Sequence, residues 1–125
     1  MDKPPTVLVV EDTDIAREPL VRLLQLEGFE AIGATNGQEA LDALPVHQPD
    51  LILLDIIMPV MNGLEFLSTI RADPSWNKVP VIVLTAVRDE VCERDVRNLG
   101  VQGFMLKSGY STDELLGLIR EQVPH

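Results

Sequence analysis

Four stretches of the chain are short, aliphatic and almost unbroken by polar residues: Thr6-Val7-Leu8-Val9-Val10, Leu51-Ile52-Leu53-Leu54, Val81-Ile82-Val83-Leu84 and Phe104-Met105-Leu106. Runs of this length, rich in β-branched residues, suit strands that are covered on both faces, as in a parallel sheet. A fifth stretch, from Phe29 to Ala34, is interrupted by Glu30 and Gly33 and reads as an edge strand. The segments between them follow a helical period. Ile15 to Leu26 is amphipathic and stops at Gly28, a residue suited to the left-handed position after a helix. Asn36 to Leu44 opens on an asparagine cap and is expected to end before Pro45. Gly63 to Ala72 places Leu64, Leu67 and Ile70 on one face. Asp89 to Leu99 is a poorer helix, with Val91, Cys92, Val96 and Leu99 as its apolar side and Gly100 at its end. The last helix begins at Ser111-Thr112-Asp113-Glu114, a capping box, and buries Leu115, Leu116, Ile119 and Val123.

The resulting order is βαβαβαβαβα. Strict alternation implies a parallel sheet with helices on both faces. It suits a flavodoxin-like doubly wound α/β sheet of order 2-1-3-4-5, or half of a larger Rossmann sheet. A length of 125 residues favours the first. With no break in composition, linker or repeat, residues 1–125 are read as one domain.

Composition narrows the function classes. Aromatic residues are only 4% of the chain, so the core must be aliphatic. A formal net charge of −10 argues against nucleic acid and anionic membrane as partners, and is compatible with cation binding or a basic patch on a protein. The single cysteine, Cys92, excludes an intrachain disulfide. No apolar run approaches a membrane span, and the first residues show no signal-peptide segment, so a cytoplasmic location is expected.

The polar residues at the strand ends carry the chemistry. In open α/β sheets ligands sit beyond the carboxyl ends of the strands, where the strand order reverses. The first strand is followed by Glu11 and Asp12, the third by Asp55, the fourth by Thr85, and the fifth by Lys107. Any one of these could be a turn former or a cap. Together they bring three carboxylates, a hydroxyl and an ammonium to one edge. Carboxylates about 4 Å apart repel by roughly 4 kcal/mol per pair at an effective dielectric near 20. A hard divalent cation removes that cost, and Mg²⁺ favours one or two carboxylates, waters and a phosphate oxygen. Such a site can bind a phosphoryl group or make one of its own carboxylates the acceptor, as an acyl phosphate.

These residues resemble the receiver domain of two-component response regulators over essentially the whole chain. The matching motifs are Val-Val-Glu-Asp at 9–12, Asp55-Ile-Ile-Met-Pro-Val-Met-Asn-Gly63, Leu84-Thr-Ala86 and Phe104-Met-Leu-Lys107. The resemblance implies that Asp55 is the phosphoacceptor. It implies Mg²⁺ bound by Asp12, Asp55 and the main-chain carbonyl of Ile57, with Glu11 acting through water. Thr85 and Lys107 would contact phosphoryl oxygens, Thr85 and Phe104 would form the switch, and Met58 and Pro59 would shape the loop after the acceptor. The phosphodonor would be a sensor histidine kinase or a histidine phosphotransfer protein, and the output a downstream protein or a fused domain. Residues two after the acceptor and two after the hydroxyl residue flank the path of the hydrolytic water in this family. Here they are Ile57 and Val87, which cannot orient a water and imply slow self-dephosphorylation.

Two departures stand out. Ser108 follows the lysine where the family usually has proline, with Gly109 and one apparent extra residue before the last helix, so the bond after Lys107 is expected to be trans. Pro19 falls inside the first helix, where it should produce a kink. Both lie where kinase partners dock in the family. A competing reading is a receiver-fold interaction module that is never phosphorylated; the complete set of site residues argues against it. A small-molecule phosphatase of the aspartate type would carry an acid two residues after the nucleophile, where this chain has Ile57. Trp76 offers a fluorescence reporter of metal binding if it senses the site.

Overall fold

The computed structural model describes residues 3–58, 60–86 and 89–123, with the backbone alone for residues 90 and 91. The order is β1 (Thr6–Val10), α1 (Asp14–Leu26), β2 (Glu30–Ala34), α2 (Gly37–His47), β3 (Leu51–Leu54), α3 (Gly63–Arg71), β4 (Val81–Thr85), α4 (Glu90–Asn98), β5 (Gly103–Leu106) and α5 (Thr112–Gln122). The five strands are parallel, in the order β2-β1-β3-β4-β5. Among the described residues no helix is long and apolar enough to cross a membrane.

The aliphatic runs are explained by the two-residue period of a strand. Leu8, Val10, Ile52, Leu54, Val81 and Val83 face α2, α3 and α4, where they meet Ala40, Leu44, Phe66, Leu67, Ile70 and Val96. Val7, Val9, Leu51, Leu53, Ile82 and Leu84 face α1 and α5, where they meet Leu24, Leu115, Leu116 and Ile119. With both faces covered, the central strands are aliphatic except at their ends, where Thr6 opens β1 and Thr85 closes β4.

Four sequence expectations are corrected. β5 is an edge strand, half-buried along its whole length, because only β4 flanks it. The α2 helix runs past Pro45 to His47 and ends at Gln48, whose φ of 47° is left-handed. Pro45 is exposed in the last turn, and the carbonyl that lacks its N–H belongs to the half-buried Leu41 one turn earlier. In α3 the buried face is Gly63, Phe66, Leu67 and Ile70, and Leu64 is only half-buried. The spacing i, i+3, i+4, i+7 picks out Phe66, which the three-residue count passed over. Trp76 follows α3 in the connection leading into β4, at the opposite end of the sheet from the strand carboxyl ends. It therefore stands away from that edge.

The α1 helix continues through Pro19. The carbonyl that a normal residue would have used there belongs to Ile15, which is 90% exposed and open to water. In α4, Val96 is buried while Cys92 and Leu99 are half-buried; the side chain of Val91 lies outside the described residues. Arg71, at the end of α3, clamps this shallow helix. Its Nε and Nη2 donate to the carbonyls of Leu99 (3.1 Å) and Gly100 (2.8 Å), and Nη1 to that of Trp76 (3.3 Å). A cation at the end of a helix also complements its dipole.

Candidate functional site

The sheet ladder itself places the site residues. Three of them extend a strand by one hydrogen bond: the N–H of Glu11 donates to Ala34 (3.0 Å), that of Asp55 to Val10 (3.0 Å) and that of Lys107 to Thr85 (2.8 Å). Glu11, Asp55 and Thr85 are buried, at 3%, 5% and 3% exposure. The Lys107 ammonium reaches Glu11 Oε2 at 2.6 Å and Asp55 Oδ2 at 3.3 Å. Glu11, the half-buried Asp12 and Asp55 each offer a carboxylate oxygen, all within 4.8 Å of one another. Glu11, Asp12 and Asp55 thus cluster, Lys107 bridges Glu11 and Asp55, and Thr85 is buried at the end of β4.

This proximity shifts their protonation. Burial is the largest influence on Glu11 and pushes it up to about 7; the hydrogen bond from Lys107 opposes this, and the charge of Asp55 adds to it. For Lys107, burial alone would favour the neutral amine. The hydrogen bond with Glu11 and the charges of Asp55 and Glu11 outweigh it and hold the ammonium above its ordinary value. The half-buried Tyr110 is part of the same field. Burial raises its phenol, Lys107 opposes, and Glu11 adds to the rise.

The loop after β3 is held by two glycine contacts. The Gly63 N–H donates to the Ile56 carbonyl at 2.8 Å, and a Cβ there would stand 2.4 Å from the Asp55 carbonyl oxygen. The Gly37 N–H donates to the Met61 carbonyl at 2.9 Å, and a Cβ on Gly37 would stand 2.7 Å from that oxygen. Between these anchors Val60 has a φ of 68°. Left-handed backbone at a β-branched residue costs about 1–3 kcal/mol and persists only where its surroundings enforce it. Met58 is buried, and Ile57 is 61% exposed, with its N–H donating to Asp55 Oδ1 at 3.3 Å. Pro59 and Val87 lie outside the described residues.

Phe104 is half-buried on β5, packs against the α2–α4 side of the core and carries the Arg97 guanidinium 5.5 Å from its ring centroid. Arg97 is in turn paired with Glu93 at 3.5 Å. The Lys107–Ser108 bond is trans, and no described peptide is cis. Sequence reasoning passed over Arg17, whose Nη1 donates to the Glu11 carbonyl at 2.9 Å, and Tyr110. No motif marks either residue; for Arg17 the only signal was its place one turn into the helix after the acidic pair.

Chemically, the donor set is oxygen-only, compact and rich in negative charge, which fits a hard divalent cation such as Mg²⁺. Beside it the pocket holds an ammonium and, at the end of β4, a buried hydroxyl residue.

Comparison with known proteins agrees. The response regulator receiver domain model matches residues 7–120. The chain is 36% identical over 104 residues to the polar-differentiation response regulator DivK of Brucella anthropi, covering 83% of this chain and 85% of that one. A response regulator receiver protein from Pseudomonas putida superposes with a TM-score of 0.90 at 33% identity, covering 97% of this chain and 99% of that one. The chemotaxis protein CheY4 of Vibrio cholerae superposes with a TM-score of 0.87 at 27% identity, covering 97% and 100%.

Proposed function

The chain belongs to the response regulator receiver domain family, and from that premise we propose that it accepts a phosphoryl group on Asp55 and thereby changes its binding surface. The observation that carries this reading is the setting of Asp55: a buried carboxylate 3.3 Å from the Lys107 ammonium and within one cation's reach of Glu11 and Asp12. The donor would be a phosphohistidine of a sensor histidine kinase or a histidine phosphotransfer protein. In the transfer, an Asp55 carboxylate oxygen forms the new O–P bond as the N–P bond of the donor breaks. The electron pair of that bond stays on the imidazole. Lys107 and Thr85 would meet the oxygens on which the transferring group spreads its charge.

Mg²⁺ would be held by Asp12, Asp55 and the main-chain carbonyl of Ile57, with Glu11 one water further out; when bound it neutralises charge shared by the carboxylates and the phosphoryl oxygens. Thr85 and Phe104 are the proposed switch, passing the change at Asp55 to the α4–β5 side and so to an output partner. The domain is regulatory and assists its own phosphorylation and dephosphorylation.

Beryllofluoride, a phosphoryl mimic, tests the reading directly. It is expected to bind with Mg²⁺ present and not without it, followed by amide chemical shifts of Asp55, Thr85 and Lys107. Absence of binding at saturating Mg²⁺ would sink the proposal and favour the unphosphorylated interaction module.

Hydrolysis of the phosphoryl group is expected to be slow. Ile57, two residues after the acceptor, is mostly exposed and has no group to orient a water. Positioning of the nucleophile is most of what a protein supplies in phosphoryl chemistry. Ile57→Asn should therefore shorten the half-life of phospho-Asp55 several-fold in a single-turnover decay assay. An unchanged half-life would remove Ile57 from the control of lifetime.

A further inference from the structure

We infer that Arg17 is a positioning residue for the acidic turn, and that Gly33 on the adjacent strand is the seat that makes its position possible. The inference rests on the Mg²⁺ role proposed above. Arg17 lies one turn into α1, and its side chain is only 13% exposed. One end of the guanidinium donates to the main-chain carbonyl of Glu11 at 2.9 Å, and the other is paired with Asp14. The aliphatic stem crosses Gly33 on β2, where a Cβ would stand 2.9 Å from Arg17 Cδ.

The Glu11 carbonyl and the Asp12 N–H share one peptide plane. Fixing that oxygen fixes the plane, and with it the directions in which the Glu11 and Asp12 side chains leave the backbone. The Glu11 N–H is already tied to Ala34 at 3.0 Å, so Arg17 closes the second side of the turn. The guanidinium bonds to a carbonyl and to Asp14, which leaves the carboxylates of Glu11, Asp12 and Asp55 to a cation. Groups that orient metal ligands without touching the metal typically account for about 10–100-fold in affinity. Gly33 matters because the Arg17 stem is pinned at its far end and cannot swing away from a methyl group. Its own strand contributes no ligand.

Mg²⁺ titration calorimetry and Mg²⁺-free urea unfolding on wild type, Arg17→Ala, Arg17→Lys and Gly33→Ala decide the matter. Arg17→Ala should bind Mg²⁺ roughly tenfold more weakly. Arg17→Lys keeps one donor for the Glu11 carbonyl and should recover part of the loss. Gly33→Ala should weaken binding in the same direction with Arg17 still present. A lower urea midpoint in Arg17→Ala with an unchanged Mg²⁺ dissociation constant would make the arginine merely structural and overturn the inference. So would a Lys variant as weak as Ala together with wild-type binding in Gly33→Ala. Failure of the wild type itself to bind Mg²⁺ would overturn the proposed function, and this inference with it.

Discussion

Asp55→Asn is expected to abolish phosphoryl incorporation from acetyl phosphate and Mg²⁺, while wild type gains one phosphoryl group by intact mass. The substitution is nearly isosteric. An amide oxygen can still accept the Ile57 N–H that now reaches Asp55 Oδ1 at 3.3 Å, so the loop keeps its anchor. What disappears is the nucleophile, since an amide does not form an acyl phosphate. The fold should not suffer. Asp55 contributes one of the charges crowded within 4.8 Å of Glu11 and Asp12. Repulsion between such charges is of the order of 4 kcal/mol per pair at an effective dielectric near 20, before Lys107 compensates. The asparagine variant should therefore unfold at an equal or higher urea concentration than wild type. Glu11 should also move back toward the ordinary carboxylate range, because the Asp55 charge is one of the influences that raise it. Equal labelling of both proteins would place the phosphoryl group elsewhere, with Glu11 and Asp12 the first residues to examine.

The legible parts of this fold are those where one physical constraint dominates. The central strands must be apolar on both faces, so β1, β3 and β4 stand out as unbroken runs, and a strand end is then the position next to the last aliphatic residue. That is why Glu11, Asp55, Thr85 and Lys107 stand out: each follows or closes a strand, Glu11 and Asp55 at one level, Thr85 one residue and Lys107 two residues further along. Where two constraints compete, sequence alone misleads. Phe104-Met105-Leu106 looks as buried as the central runs, but its place in the sheet decides its burial, and it is half-exposed at an edge. Pro45 reads as a stop, yet α2 runs two residues beyond it before ending at the left-handed Gln48. Arg17 and Gly33 are 16 residues apart on different elements, and only their packing reveals that one is the seat of the other. Val60 shows the same limit, since a valine carries no sign that its backbone will be forced to a φ of 68°.

Gly63→Ala is expected to damage stability and chemistry together. Gly63 is the first residue of α3, after the cap at Asn62, whose side chain accepts the Glu65 N–H. By helix propensity alone, alanine inside a helix is favoured over glycine by up to about 1 kcal/mol. Contact geometry reverses that preference. The new methyl group would stand 2.4 Å from the Asp55 carbonyl oxygen and 2.6 Å from the Ile56 Cα. Both are backbone atoms, so no rotamer change relieves the clash. Either α3 or the segment carrying the acceptor must move by about 1 Å, and overpacking of this kind costs about 3 kcal/mol. Displacement of a reacting group by that distance can cost roughly 100-fold in rate. The variant should therefore unfold earlier in urea and label slowly with acetyl phosphate even where it remains folded. Gly117→Ala is the matched control. Gly117 lies inside α5 with nothing within 4 Å of an added Cβ, so alanine there should raise stability by up to about 1 kcal/mol and leave labelling unchanged. If Gly63→Ala behaves like Gly117→Ala, the close approach of α3 to the Asp55 carbonyl does not hold the acceptor in place.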